Sequence, residues 1–482
     1  MSWRHLLHVV GAVVAATGVA MFAPAVVALI YQEWDVALWV ALSAMVTVLA
    51  GFLMRRIFDR PGELLTKEGF AAVGLSWFAI AAFGSLPYLL TGSIPSITDA
   101  FFETAAGFTT TGASIVPNPE ALPHGILFWR GMTQWLGGMG VIVLSIAILP
   151  LLGLGAVQLA RAESPGPVPD RLTPRFRETA KRLWWVYLIL TGVQAVLLVF
   201  GDMTLFEAIA HAFTTMSTGG FSTEAESLGA FSAYSQWIVI LFMALAGASF
   251  SLHYRAPRTP GVYQRSSEFR VYAAILLGAA LVMIVGTWGG GIGETIRDGV
   301  FTSISIVTTT GYATADFGQW IPALQILIVG LMFVGGMAGS TAGAIKTYRL
   351  EVLAQASRMD LRRLIHPRGV FITRIGKKVV PDTIVEAVQT FFLMYMFAFM
   401  TGTALLGLIG WVADSHLTIV TTVSAVASSL GNVGPGLEQV GPTQNYLVIP
   451  ALGKWLLAVL MIVGRLEILP VVLLFTRELW RR

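Results

Sequence analysis

Ten apolar runs, each close to or above the length needed to cross a bilayer, divide this sequence of 482 residues. A helix needs about 20 such residues to cross the hydrocarbon layer. Only 12% of the residues are charged, against about 25% in soluble domains. We therefore expect an all-α polytopic membrane protein, with ten transmembrane helices near 5–30, 37–54, 69–91, 126–152, 182–201, 232–254, 270–288, 321–347, 383–411 and 444–475.

The positions of Lys and Arg predict the orientation of these helices. With the N-terminus inside, 27 of the 31 basic residues fall on the inner side, and the exceptions are Arg130, Arg297, Lys454 and Arg465. Basic residues concentrate in cytoplasmic loops, so both termini are expected in the cytoplasm. The first run is too long for a signal-peptide core and predicts an uncleaved span. The chain has no cysteine, which excludes disulfides and thiolate metal sites.

Two inner segments are longer than the others, the linker around Ser164–Pro167 and the basic stretch 349–378. Neither can bury a core of its own, so no soluble domain is expected. The basic stretch suits either a plain positive-inside loop or a surface that binds anionic lipid or a cytoplasmic partner. Its composition leaves both interpretations open.

Four shorter semi-apolar stretches alternate with the long runs, near 98–109, 204–216, 295–308 and 415–430. They are too short to cross a bilayer and suit re-entrant pore helices, which are tolerated where protein or a water-filled pore surrounds them. Each precedes a glycine-containing strand, and the four strands are Thr109–Ala113, Met216–Gly220, Thr308–Tyr312 and Gly431–Pro435. Such recurrence indicates an internal repeat, in which we align Gly112, Gly219, Gly311 and Gly434.

The repeat divides the chain into two extra N-terminal spans and four pore units. Their bounds are 1–60 for the extra spans and 61–160, 161–262, 263–365 and 366–482 for the units. Four units of one chain can surround a single pore, as four separate subunits would. The expected architecture is therefore a pseudo-fourfold, channel-like pore.

The four strands have the composition of a cation selectivity filter. Filters of this kind replace the hydration shell of an ion with backbone carbonyls, and glycine permits backbone conformations that bulkier residues resist. The hydroxyls of Thr111, Thr218 and Thr310 can add oxygens, whereas Val433 cannot. The candidate ion-binding residues are Thr110, Thr111, Gly112, Ser217, Thr218, Gly219, Thr309, Thr310, Gly311, Asn432, Val433 and Gly434.

With these strands and the two extra N-terminal spans, the chain resembles the potassium-translocating subunits of the Trk/Ktr/HKT superfamily, in its Trk branch. The resemblance covers essentially the whole length and includes the divergent fourth strand, Gly431–Pro435. It implies a potassium-channel-like pore in the bacterial inner membrane, with potassium bound at the filter and no organic cofactor. It also implies a homodimer and a cytoplasmic, TrkA-like nucleotide-binding regulatory subunit. In the family, serine at the first filter glycine accompanies sodium permeation, so four glycines imply potassium selectivity.

The eighth apolar run contains an unusual density of glycine, at Gly335, Gly336, Gly339 and Gly343, followed by Lys346. Small residues every four positions can form a face that another helix approaches closely. Alternatively, the glycines interrupt the helix, since each costs about 1 kcal/mol in a helix interior. The residues alone do not decide between these interpretations. The resemblance favours the second, because it implies a gating loop at this point.

Three charged residues in apolar surroundings invite a functional interpretation. Arg465 lies 12 residues before Arg477, or about 18 Å along a helix, and therefore within the membrane. It either packs against a carboxylate of another span or, as the resemblance implies, places a positive charge at the inner pore as part of the gate. Glu103 and Glu207 are expected in the first turns of pore helices, where carboxylates cap the positive end of the helix dipole; the alternative is that they draw cations to the mouth of the pore.

Two other classes of protein compete with a gated pore. A secondary transporter coupled to protons or sodium would be expected to show an inverted repeat and buried carboxylates, whereas the repeats here are parallel. A membrane-embedded enzyme would need a recognisable catalytic set within the spans, and none appears. We therefore expect no enzymatic activity. The expected partners are the lipid bilayer and the two protein partners named above, and no nucleic acid.

Overall fold

The computed structural model describes residues 3–58, 66–147, 173–289, 291–376, 378–468 and 471. The linker around Ser164–Pro167 and the basic C-terminal residues from Arg477 onward lie outside these described residues. The N-terminal part consists of α1 (Trp3–Ala20), α2 (Phe22–Ile30), α3 (Trp34–Ile57), α4 (Thr66–Gly84) and α5 (Leu86–Leu90). Next come α6 (Ile97–Phe108), α7 (His124–Ala147), α8 (Thr173–Val199), α9 (Leu205–Met216), α10 (Ala233–Ala246), α11 (Phe250–Arg255) and α12 (Val262–Arg265).

The C-terminal half continues the same pattern with one short hairpin. It contains α13 (Ser267–Gly286), α14 (Ile292–Val307), α15 (Pro322–Leu331), α16 (Thr347–Ile365), α17 (Asp382–Val412), α18 (Ile419–Gly431) and α19 (Ala451–Arg465). The hairpin pairs β1 (Arg374–Ile375) with β2 (Lys378–Val379) in antiparallel register. The fold class expected from the sequence, an all-α membrane protein, is confirmed.

Six helical segments within the described residues are long and apolar enough to cross a membrane. They are Trp3–Ile30, Trp34–Ile57, Gly69–Leu90, Glu178–Val199, Ser267–Gly286 and Asp382–Val412. Their outward faces carry large apolar side chains such as Leu277 and Phe397, which are more than 70% exposed. Such faces are stable in hydrocarbon and unfavourable in water. The chain is therefore a multi-pass membrane protein.

The four shorter helices predicted from the sequence are α6, α9, α14 and α18. Three of them begin with a side-chain cap, since Ser96 accepts from Asp99 N–H, Thr204 from Glu207 N–H, and Thr418 from Thr421 N–H. Thr204 and Glu207 complete a reciprocal capping box, an arrangement that satisfies two otherwise free amides. The capping role predicted for Glu207 is confirmed.

The eighth apolar run is not one continuous helix. α15 ends at Leu331 and α16 begins at Thr347, so residues 332–346 form a non-helical segment, which we call the loop. The sixth run is broken in the same way between α10 and α11. The two breaks meet, because Met337 N–H donates to Gly247 O over 2.8 Å and Phe250 N–H donates to Gly339 O over 3.1 Å. Backbone groups freed from the helices thus find partners in each other, as their burial requires.

The two largest of five apolar clusters among the described residues hold most of the helices together. The larger core joins the N-terminal helices and the first repeat to the fourth, and it includes Phe102, Trp129 and Met461. The second joins the second and third repeats through residues such as Met243 and Phe301. Packing therefore links the first repeat directly to the last, which closes the chain into a ring.

Candidate functional site

The four glycine-containing strands share one backbone conformation. Each has a non-glycine residue in the left-handed region, with φ of 52° at Thr110, 56° at Thr218, 56° at Thr309 and 55° at Asn432. Two residues later each has a left-handed glycine, with φ of 77° at Gly112, 76° at Gly220, 81° at Gly311 and 109° at Gly434. Left-handed backbone disfavours side chains, so these four glycines are structurally equivalent. The four strands predicted from the sequence thus repeat one backbone conformation.

This pattern corrects the sequence alignment of the second repeat by one residue. Gly220, rather than Gly219, is the equivalent of Gly112. The backbone hydrogen bonds support this alignment, because the N–H of the residue before each left-handed glycine donates to a carbonyl of the preceding short helix. The four bonds run from Thr111 to Ala106 O, Gly219 to Thr214 O, Thr310 to Ser305 O and Val433 to Ser428 O, over 2.8–2.9 Å. Gly219 therefore corresponds to Thr111, Thr310 and Val433. The three threonine hydroxyls expected at this level reduce to those of Thr111 and Thr310.

The strands approach one another in a closed cycle. A Cβ added at Gly112 would collide with Gly219 O, one at Gly220 with Thr310 O, and one at Gly311 with Val433 O. The cycle closes because a Cβ at Gly434 would collide with Thr111 O. The four carbonyls belong to equivalent residues and form one ring. We call this ring and its strands the filter.

The filter is a neutral site made of backbone and hydroxyl oxygens. All twelve candidate residues named above are buried or nearly so, and the described residues contain no cluster of three His, Cys, Asp or Glu that could hold a metal. The helices α6, α9, α14 and α18 end directly before the strands, so their negative dipole ends favour a cation there. The arrangement is suited to replacing the hydration shell of a monovalent cation.

Strand four differs from the others in its side chains. Asn432 donates from Nδ2 to Thr111 Oγ1 over 2.9 Å and to Met461 O over 2.9 Å, so it fastens strand four to strand one and to α19. Strands one and three instead pair the threonines on either side of the position equivalent to Asn432, with 2.7 Å between the hydroxyls of Thr109 and Thr111 and 2.8 Å between those of Thr308 and Thr310. The divergent fourth sequence is thus a compatible part of the ring.

A cavity of ≈ 120 Å³ lies beyond the C-terminal ends of the strands and is lined by the four left-handed glycines. Glu224 lies at its wall, and Glu120 accepts from Ala225 N–H over 2.6 Å beside it. Burial, together with a hydrogen bond to Glu120 and repulsion by its charge, raises the pKa of Glu224 above its ordinary value. The two carboxylates therefore give the filter an acidic mouth on this side.

The loop lies at the other end of the strands and contacts three of them. Gly343 N–H donates to Thr309 Oγ1 over 2.6 Å, and Thr341 Oγ1 donates to Met216 O over 3.0 Å. A Cβ at Gly343 would collide with Gly431 O, so glycine is required by the close approach to strand four. Gly335 and Gly336 pack against Gly343 O and Gly247 O, and Gly339 has a left-handed φ of 77°.

Arg465 holds the loop from the last helix. Its Nη1 donates to Thr341 O over 2.7 Å, its side chain is buried, and its Nε and Nη2 have no hydrogen-bond partner among the described residues. Lys346, also buried, donates to Ala342 O within the same loop. Glu467 pairs instead with Arg349. Within the described part of the chain, the partner of Arg465 is therefore a loop carbonyl and not the carboxylate of another span that the first interpretation predicted.

The first-turn position predicted for Glu103 is also wrong. α6 begins at Ile97, so Glu103 is its seventh residue, and its carboxylate is fully buried behind the filter. There it accepts from Ile115 N–H and Arg130 Nε, both over 2.9 Å. Sequence reasoning missed Arg130 and Gln134 as well, although two polar residues one turn apart in an apolar span were a usable signal.

Comparison with known proteins identifies the family. The family model for TrkH, a cation transport protein, matches residues 40–269 and 291–481. The chain is 40% identical to the Trk system potassium uptake protein TrkH of Halomonas elongata and 36% identical to that of Salmonella typhimurium, in each case over 100% of both chains. Its fold matches the crystal structure of the potassium transporter TrkH from Vibrio parahaemolyticus with a TM-score of 0.90, 36% identity and 100% coverage of both chains. The chain therefore belongs to the TrkH family, a family of cation transporters rather than of enzymes.

Proposed function

We propose that this chain forms the pore of a potassium uptake system in the bacterial inner membrane. The observation that carries the proposal is the closed cycle of carbonyls from Thr111, Gly219, Thr310 and Val433. The relatives that match the whole chain bear the name of Trk system potassium uptake proteins, which supports potassium as the ion. Potassium is then the transported substrate, and no organic cofactor is needed.

Selection follows from the chemistry of the ring. A cation entering it loses water and gains several carbonyl dipoles at once. The candidate ligands predicted from the sequence remain the proposed ones, with the carbonyls of Thr111, Gly219, Thr310 and Val433 as the central set. Glycine at all four left-handed positions supports potassium over sodium, by the family pattern in which serine at the first accompanies sodium permeation.

The loop is the proposed gate. Its contacts with Thr309, Met216 and Gly431 lie directly at the end of the strands, so the loop must move before an ion can pass on that side. Gly335, Gly336, Gly339 and Gly343 give its backbone the freedom to move. Arg465, buried beside the loop, and Lys346, buried at the end of the loop, add positive charge that opposes a cation there.

The finer architecture belongs to the same proposal. Ten transmembrane segments and four re-entrant pore helices, with both termini cytoplasmic, are supported by the positive-inside distribution and by the short helices α6, α9, α14 and α18. The repeats keep the boundaries given above. We further propose a homodimer in the lipid bilayer, a TrkA-like nucleotide-binding regulatory subunit on the cytoplasmic face, and no nucleic acid partner.

Two carboxylates at membrane level bear on coupling to protons. Glu103 pairs with Arg130 over 2.9 Å, and Glu467 pairs with Arg349. Both carboxylates are thus bound to arginines. The parallel repeats and the closed cycle of carbonyls favour conduction through a pore over the alternative, proton- or sodium-coupled secondary transport.

Rubidium flux into proteoliposomes tests the proposal. We expect potassium-competed rubidium uptake that responds to the regulatory subunit, with much slower sodium uptake. Clamping the proton and sodium gradients at zero should leave the uptake driven by the rubidium gradient intact. Equal rubidium and sodium uptake would refute potassium selectivity, and uptake that requires a proton or sodium gradient would refute the pore.

A further inference from the structure

We propose that Gln134 and Arg130, one turn apart on α7, are positioning residues that set the ion selectivity of the filter by holding its second strand. The inference rests on the proposed function and deepens it. Both side chains are buried, Gln134 completely and Arg130 to 2% exposure. Neither belongs to a filter strand: Gln134 contacts strand two directly, and Arg130 contacts the segment that follows it and also lines the cavity at the mouth of the filter.

Gln134 bridges the two residues that flank the left-handed glycine. Its Nε2 donates to Gly219 O over 2.7 Å, and its Oε1 accepts from Phe221 N–H over 3.1 Å. Because one end of the carboxamide donates and the other accepts, the two bonds fix the orientation of both peptide groups around Gly220. Gly219 O is also a member of the carbonyl ring, so Gln134 controls the direction of one of its four dipoles.

Strand two needs this support because its own side chains do not provide it. At the level where strands one and three carry the hydrogen-bonded threonines Thr111 and Thr310, strand two carries Gly219. The space of the missing side chain is filled by Gln134, whose carboxamide atoms are the three nearest to a Cβ built at Gly219. Two adjacent glycines would otherwise leave this strand the most flexible of the four.

Arg130 ties the same strand to strand one. Its Nη1 donates to Ser222 O over 3.2 Å and its Nη2 to Ser114 Oγ over 3.1 Å, while its guanidinium lies 4.3 Å from the centre of the Phe221 ring. Arg130 Nε donates to Glu103 Oε1 over 2.9 Å, and this carboxylate balances the charge of the guanidinium. Removing one partner of a buried ion pair is strongly destabilising, so the pair links the segments that follow strands one and two of the filter.

Loss of these bonds should broaden selectivity rather than abolish conduction. If Gly219 O is free to rotate away, three carbonyls remain to replace the water of the ion, and the ring loses its fixed geometry. Losing a buried hydrogen bond of this kind changes the equilibrium between the ordered and the rotated carbonyl by roughly tenfold. We therefore expect a fall of about tenfold in the preference for rubidium over sodium.

The test measures rubidium and sodium uptake in proteoliposomes for Gln134→Leu, Gln134→Met and the double variant Glu103→Gln/Arg130→Gln. Leucine and methionine fill the space without a donor, and the double variant removes the ion pair without leaving a buried charge. The matched controls are Gln194→Leu, at a fully buried glutamine of α8 with no hydrogen bond among the described residues, and Asp99→Asn/Lys454→Gln. The latter pair joins α6 to α19 over 2.5 Å without involving a filter strand.

Selectivity lost in the first three variants and kept in both controls supports the proposal. Wild-type selectivity in folded Gln134 variants overturns it. If thermal denaturation shows that both Gln134 variants unfold where Gln194→Leu does not, the role is structural and the proposal is also overturned. A wild-type protein without rubidium preference would instead overturn the proposed function itself.

Discussion

Thr309 Oγ1 accepts a hydrogen bond from Gly343 N–H over 2.6 Å, so one left-handed filter residue is joined directly to the loop beneath it. The filter and the proposed gate are therefore parts of one hydrogen-bonded structure. In strand one, Thr110 Oγ1 has no partner among the described residues. The loop is therefore hydrogen-bonded to the left-handed threonine of strand three and not to that of strand one. Movement of the loop away from the filter should depend on strand three.

Replacing Thr309 with valine should raise the basal rubidium flux about tenfold. Valine keeps the shape but removes the acceptor, and leaving Gly343 N–H unsatisfied costs about 1–3 kcal/mol in the closed state. The measurement is rubidium efflux from proteoliposomes without the regulatory subunit. Thr403→Val is the matched control, since the one side-chain hydrogen bond of Thr403 within the described residues goes to Phe399 O of the same helix, α17. An unchanged basal flux in Thr309→Val would contradict a gating role for this contact.

Replacing Arg465 with alanine should also raise basal flux. The substitution removes the bond to Thr341 O and a positive charge beside the ion path. We expect Arg465→Lys to have a smaller effect, because lysine restores the charge without the planar fork. Currents identical to those of the wild type in a well-folded Arg465→Ala protein would remove Arg465 from the gate.

Alanine at Gly219 and at Gly220 should behave differently. Gly220→Ala meets both an unfavourable left-handed backbone and Thr310 O, and it should destabilise the protein in any background. Gly219→Ala collides with Gln134 alone among the nearest atoms, so Gln134→Ala should relieve part of its cost. A double-mutant cycle on thermal stability should show coupling of about 0.5–3 kcal/mol for 219 with 134. Additive effects would mean that the two side chains do not compete for one space.

The acidic mouth should make uptake depend on pH. Glu224 has a raised pKa because of burial and Glu120, with smaller contributions from Glu207 and Glu226. The folded protein therefore holds this proton more tightly than the unfolded chain, and stability falls as the pH rises through the folded pKa. The negative charge appears over the same range, so uptake at low rubidium concentration should increase with pH above the ordinary glutamate value.

Glu224→Gln should flatten this dependence, whereas the exposed Glu226→Gln should largely retain it. The comparison uses initial uptake rates at several external pH values, with the internal pH fixed. A pH profile of Glu224→Gln that matches the wild type would show that another group is responsible.

The sequence by itself determined the membrane class, the four short helices and the approximate place of each filter strand. These features depend on local properties: apolar length, basic residues at the inner ends, and the recurrence of Thr and Gly. Even the glycine density of the loop was visible, and it narrowed the eighth run to two interpretations. Local composition could not choose between them, because both a packed helix face and an interrupted helix use small residues.

Only the tertiary structure decided the register of strand two, the partners of Glu103 and Arg465, and the contacts of Gln134. Gly219 and Gly220 are chemically identical neighbours, and what distinguishes them is a backbone angle imposed by the strands on either side. Gln134 meets Gly219 across 85 positions of sequence, and Arg465 meets Thr341 across 124. Contacts of this range arise from the closing of four repeats around one axis, so no local pattern specifies them.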